Sequence, residues 1–158
     1  MLNREIYAKD PLANQIANNG VAEVKDDQSA QALKTLRYEL ETFVCDGEYE
    51  RGLDQILDRF IENVEQGREQ PGVWISGFYG SGKSHLAKML RSLWIDFDFS
   101  DGTTARGIAQ LPRDIQDSLK RLSNESRKHG GLHAASGTLG QGVGDQVRLA
   151  LLGIVFKS

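Results

Sequence analysis

The chain has 158 residues, 39% of them hydrophobic and 26% charged, which is the make-up of a globular domain able to bury one core and excludes disordered and fibrous classes. A formal net charge of −3 gives no field that would hold a polyanion by itself, so direct nucleic-acid binding is not supported. One cysteine, Cys45, excludes an internal disulfide or a cysteine metal cluster and reads as a plain buried thiol, suited to a reducing compartment.

Residues 1–28 are polar and show no sustained period, and are expected to form an extended lead-in. From Ser29 to Val44 the apolar positions Leu33, Leu36, Leu40, Phe43 and Val44 recur at helical spacing, with Ser29 or Asp27 available as a cap. A second helix is predicted where Leu53, Ile56, Leu57, Phe60, Ile61 and Val64 line one face and Gly67 stands at the position of a C-terminal cap. Residues 29–70 are thus expected to be an N-terminal pair of amphipathic helices, whose acidic and basic outer faces read as solvated surface.

After the breaker Gln70-Pro71-Gly72 comes the β-prone run Val73-Trp74-Ile75-Ser76, then a glycine-rich segment, then a helix with Leu86, Met89, Leu90, Leu93 and Trp94 on one face. Core packing is the expectation for Trp74, Met89 and Trp94 alike. Residues 96–111 read as loop, and Pro112 to His129 as a polar helix with Pro112 near its first turn and Gly130 closing it. Leu132 to Ala135 reads as a second short strand, followed by a loop with glycines at 137, 140, 142 and 144 that does not fit a dinucleotide fingerprint. This loop reads as a connection, with a place near the nucleotide or a partner as the alternative. Asp145 is placed to cap a final helix, apolar on nearly every side from Val147 to Phe156 and so expected to be buried in a complete protein. That run is far shorter than the roughly 20 residues of a membrane span, and the start of the chain lacks a signal-peptide core, so the expected compartment is the cytoplasm, with no membrane contact.

The segment Gly77-Phe78-Tyr79-Gly80-Ser81-Gly82-Lys83-Ser84 fits the pattern GxxxxGK[ST], between a predicted strand and a predicted helix. Glycines are required there because backbone N–H groups wrap a triphosphate only where the chain bends tightly and no β-carbon blocks the approach. The first turn of the next helix adds N–H donors and the positive end of its dipole. Lys83 is expected between the β- and γ-phosphates and the Ser84 hydroxyl on Mg²⁺, a hard cation that takes oxygen ligands. The pattern therefore predicts ATP with Mg²⁺ in the Walker A loop of an α/β P-loop NTPase, with residues 71–158 forming part of its core. The strand-borne aspartate that completes an ATPase site is not found. The one apolar run ending in Asp near the loop, Leu93-Trp94-Ile95-Asp96, lies too close to Lys83 for a helix and a separate strand. The chain is therefore expected to bind nucleotide better than it hydrolyses it, and its catalytic residues are not assigned. His85, His129 and His133 lack metal-ligand spacing.

The run from Gly72 through the loop to His85 resembles the P-loop region of the large ATPases of bacterial BREX phage-defence systems, the BrxC/PglY family. Gly20 to Gln28, Tyr38 to Val44, His133 to Gly140 and Val147 to Leu152 are also similar to that family's N-terminal region, so most of the chain is covered. The resemblance implies a core like that of AAA+ ATPases of the replication-initiator type, and adds His85 to the expected nucleotide-binding set. It also implies a piece of a much longer defence ATPase that works with a DNA methyltransferase and other BREX proteins, with DNA met indirectly or through other regions and a homo-oligomer among the options. Two other readings stand beside it. One is an AAA+ ATPase of another line, such as a replication initiator or transposition regulator. The other is a module whose N-terminal helices dock a partner while nucleotide serves as a structural ligand.

Overall fold

The computed structural model describes residues 29–70, 72–139 and 146–156. The lead-in over 1–28, the breaker residue Pro71, the glycines at 140, 142 and 144, and the Asp145 cap lie outside the described residues. Six α-helices follow in order among the described residues: α1 (Ala30–Glu41), α2 (Gly47–Glu65), α3 (Lys83–Trp94), α4 (Ala105–Ile108), α5 (Arg113–Ser126) and α6 (Val147–Val155).

Each long helix starts and stops for a local reason. The Ser29 hydroxyl accepts from the Ala32 N–H at 3.2 Å, which caps α1 as its spacing predicts. At the end of α2, Gly67 takes φ +63° while its N–H bonds Val64 O and the Arg68 N–H bonds Asn63 O, the paired bonds of a Schellman stop. Helix α5 begins just after Pro112 and continues as a 3₁₀ turn over Arg127–His129 before Gly130 at φ +88°.

Apolar residues one turn apart supply the core. Leu36 and Leu40 of α1, Leu53, Leu57 and Ile61 of α2, Leu86, Met89 and Leu93 of α3, and Ile115, Leu119 and Leu122 of α5 are all buried and form one cluster. Burying each such side chain contributes about 1.5–3 kcal/mol, so these four stripes carry the stability of the fold. The widest helix contact is between α2 and α5. Trp94 joins from the edge, its ring 4.5 Å from that of Phe60 in a T-shaped pair. Cys45 is buried beside Phe43, and burial pushes its thiol up to about 11, as suits an inert packing residue.

The 96–111 stretch holds more structure than the loop expected there. Asp96 takes φ +50° after the last turn of α3, its carboxylate accepts from the Arg106 N–H at 3.0 Å, and Thr104 caps the short α4. The Arg106 guanidinium then donates to Leu93 O and Trp94 O at the end of α3 and to Leu119 O and Ser123 Oγ of α5. A single cation thus meets carbonyls at the end of α3, where the helix dipole favours positive charge, and ties that end to α5. Leu93 to Asp96 is the close of a helix, in line with its exclusion as a strand-borne metal site.

Two expectations are corrected. Trp74, expected in the core, is 90% exposed, because no described element covers the face of the chain on which it stands. The runs Val73–Ser76 and Leu132–Ala135 carry no ladder; among the described residues β-pairing is limited to an isolated bridge between Asp98 and Thr104. A strand exists only where a neighbour takes its N–H and C=O groups, and pattern alone does not supply one. Helix α6, whose burial was expected in a complete protein, exposes Leu149, Leu151 and Leu152 here, as does Phe156 at its C-cap, and a Cβ on Gly137 of the loop before it would lie 2.7 Å from Ile154. No helix among the described residues is long and apolar enough to cross a membrane.

Candidate functional site

The loop from Gly77 to Gly82 closes against the first turn of α3. The Ser81 N–H bonds Phe78 O at 3.2 Å, and Gly80 and Gly82 both take φ +80°, the left-handed conformation that the two glycines allow without strain. Gly82 is also the N-cap of α3, and it offers no side chain to the first-turn amides. The Leu86 N–H bonds Gly82 O at 2.8 Å, so the helix ladder begins at the last residue of the loop. Amide donors and the positive end of a helix of 12 residues therefore converge on one turn of chain, an arrangement suited to an anion.

Lys83 folds back over this turn. Its ammonium donates to Gly77 O at 2.9 Å and Phe78 O at 2.7 Å, with Ser81 Oγ at 3.4 Å. All three acceptors belong to the loop, so the fixed charge stands at its mouth. Tyr49, at the start of α2, reaches the same turn from the other side: its phenol donates to Ser81 O at 2.7 Å. Tyr49 was not among the residues expected in the site. Its place one turn before Leu53 and two before Leu57 marks it as part of the α2 stripe, but nothing in the spacing names a partner 32 positions away.

Of the residues expected to contact nucleotide, Gly77, Phe78, Tyr79, Gly80, Ser81, Gly82, Lys83 and Ser84 lie together on the loop and the first turn of α3, with Phe78, Tyr79 and Ser84 exposed. His85 faces elsewhere. Its ring sits 5.9 Å from Phe43, where burial lowers its pKa, Glu39 works in the opposite direction and Lys88 adds to the lowering. Lys88 and Glu39 pair at 2.5 Å close by, so this side of α3 is tied to α1.

A groove of about 720 Å³ opens beside the loop. One wall is α2, with Gly52, Ile56 and Phe60; the other is the chain from Gly72 to Phe78; Ser81 and Lys83 lie at the loop end. The groove thus joins an apolar body to a cationic end. No family model matches this chain, and no solved structure matches it. The loop itself therefore carries the functional argument.

The residues present fit a magnesium-bound triphosphate. The glycine cradle has no room for a side chain at Gly82, since a Cβ there would stand 2.1 Å from the Tyr49 oxygen. The ammonium of Lys83 meets the charge, and the Ser84 hydroxyl supplies one hard oxygen donor for the cation. Among the described residues no group of three or more His, Cys, Asp or Glu stands together as a metal site.

Proposed function

We propose that this chain binds ATP with Mg²⁺ through Gly77–Ser84 and serves as the nucleotide-binding part of a P-loop ATPase of the BREX phage-defence type. The observation that carries the reading is the loop: two glycines at φ +80°, an N-terminal helix turn without a side-chain cap, and a lysine whose ammonium stands across the turn. An anion held there gains from charge and from preoriented amides at once. Lys83 would hold the outer phosphates, the loop amides the inner ones, and Ser84 would give the metal one oxygen ligand. The metal-bound triphosphate, once bound, supplies the phosphoryl group whose transfer drives an ATPase.

The family assignment rests on sequence resemblance, and with it the partnership with a methyltransferase and other defence proteins and the link to DNA. The AAA+ reading of another line shares the same loop chemistry. The partner-docking reading has less support, because the apolar stripes of α1 and α2 already face the chain's own core.

Isothermal titration of ATP with Mg²⁺ against wild type and Lys83→Ala tests the site. A charge-assisted contact is worth about 1.5–3 kcal/mol, so the variant should bind roughly 10- to 100-fold more weakly while melting like wild type. Equal affinity in the two proteins would remove the assignment.

A further inference from the structure

Resting on the nucleotide reading, we propose that Tyr49 is a positioning residue for the phosphate loop: its phenol fixes the Ser81–Gly82 peptide so that the Gly82 N–H faces the polyphosphate. The phenol donates to Ser81 O at 2.7 Å, and its ring is braced edge-on against Phe43 at 6.5 Å and 86°. The Ser81–Gly82 peptide is trans, as the described residues contain no cis peptide bond. In a trans peptide the C=O and the following N–H point to opposite sides of the chain. Tying the Ser81 carbonyl to α2 therefore turns the Gly82 N–H away from α2.

A lock of this kind is needed because of what flanks the peptide. Gly80 and Gly82 at φ +80° give the turn its curvature; the Ser81 N–H bond to Phe78 O holds the first plane between them, but glycine visits both signs of φ at little cost, so the Ser81–Gly82 plane can turn through Gly82 φ and Ser81 ψ. A rotated Ser81–Gly82 plane would put a carbonyl oxygen, with its partial negative charge, where the phosphates require a donor. Lys83 does not prevent this, since it bonds Gly77 O, Phe78 O and Ser81 Oγ and not Ser81 O. The restraint comes from Tyr49, which also fills the space over Gly82: a Cβ there would meet the phenol oxygen at 2.1 Å and the ring carbon that bears it at 3.3 Å. The first turn of α2 is thereby coupled to the anion site, and a shift of α2 would be felt as a change in loop polarity.

The test is Tyr49→Phe in the full chain, which keeps the ring and removes the donor. Three readouts are taken: affinity for tripolyphosphate with Mg²⁺ by titration, the melting temperature, and the Gly82 amide resonance in a ¹⁵N–¹H spectrum. Loss of one neutral hydrogen bond that orients a donor should weaken tripolyphosphate binding about five- to tenfold, with melting close to wild type and the Gly82 resonance moved. An unchanged affinity overturns the proposal, and so does a loss of affinity that tracks a lower melting temperature while the Gly82 resonance stays in place. Wild type and Lys83→Ala are titrated alongside. Failure of wild type to bind tripolyphosphate would remove the nucleotide reading and this proposal together, whereas wild-type binding with an unaltered Tyr49→Phe would remove this proposal alone.

Discussion

The helical body and the glycine loop that leads into α3 are held by different kinds of force. In the body, Leu40, Leu57, Met89 and Leu119 are each at most 1% exposed, and stability is the sum of many weak contacts along four stripes. In the loop almost nothing apolar is buried: residues 77–81 are exposed, and the shape depends on two glycines and on polar bonds from Lys83 and Tyr49. The contrast implies that stability and the affinity proposed for the loop are carried by separate residues. Helix α3 is the joint between them, with its first turn in the site and Leu86, Met89 and Leu93 in the core.

Substitutions that should affect only one region put this separation at risk. The largest effect is expected from Leu57→Ala, at 0% exposure in the middle of α2: urea unfolding should show a loss of about 3 kcal/mol. Nucleotide affinity measured at a temperature where the variant is still folded should match wild type. A weakened affinity under those conditions would show that the loop is not independent of core packing.

Arg106→Met should come next. It removes donors from Leu93 O, Trp94 O, Leu119 O and Ser123 Oγ in a half-buried place, and a loss of about 2 kcal/mol in the same assay is expected because four charge-assisted bonds joining the end of α3 to α5 are lost together. A change below about 0.5 kcal/mol would mean that water replaces the guanidinium there without loss, and that the end of α3 is held by packing alone.

The smallest effect concerns acid. Hydrogen bonds from the Thr103 hydroxyl and N–H, joined by the Arg37 guanidinium at 2.5 Å, hold the Asp101 carboxyl at about 2, below its ordinary value of 3.8. Because the folded value is the lower one, the folded state gains from this carboxylate above the ordinary value, and that gain is lost as pH falls through the interval from 3.8 to about 2. Asp101→Asn should therefore flatten the dependence of the urea midpoint on pH across that interval and leave it unchanged in shape near neutrality. An identical slope in variant and wild type would mean that these bonds do not survive in solution.

What the sequence made legible follows the same division. Stripes at three- and four-residue spacing placed α1, α2 and α3, because apolar periodicity reports directly on which face is buried, and Pro112 and Gly130 bracketed α5. Ser29 and Gly67 marked ends for the same local reasons that the structure shows. The turn was legible too, since its glycines bend the chain at Gly80 and Gly82 and stand next to a helix start. Long-range pairings were not. Trp74 was expected inside from its β-prone neighbours, yet whether it is covered depends on elements that the run itself does not encode. Tyr49 and Arg106 act across 32 and 13 positions, through bonds that leave no period in the chain. Composition does not rank burial among the helices here: the polar helix α5 buries a clean stripe of Ile115, Leu119 and Leu122, whereas the apolar α6, expected to be buried in a complete protein, keeps Leu149 at 65% exposure and its C-cap Phe156 at 83%. Burial follows from the presence of a partner face, and hydrophobicity only makes burial favourable.

The central claim, that amides of Gly77–Ser84 and the Lys83 ammonium enclose a triphosphate, is tested most directly by a crystal structure with Mg²⁺ and a non-hydrolysable ATP analogue. The account predicts phosphate density inside the turn, with Lys83 moved from Gly77 O and Phe78 O onto the phosphates and Tyr49 still on Ser81 O. Nucleotide bound elsewhere, with the Lys83 ammonium still on those two carbonyls, would contradict it.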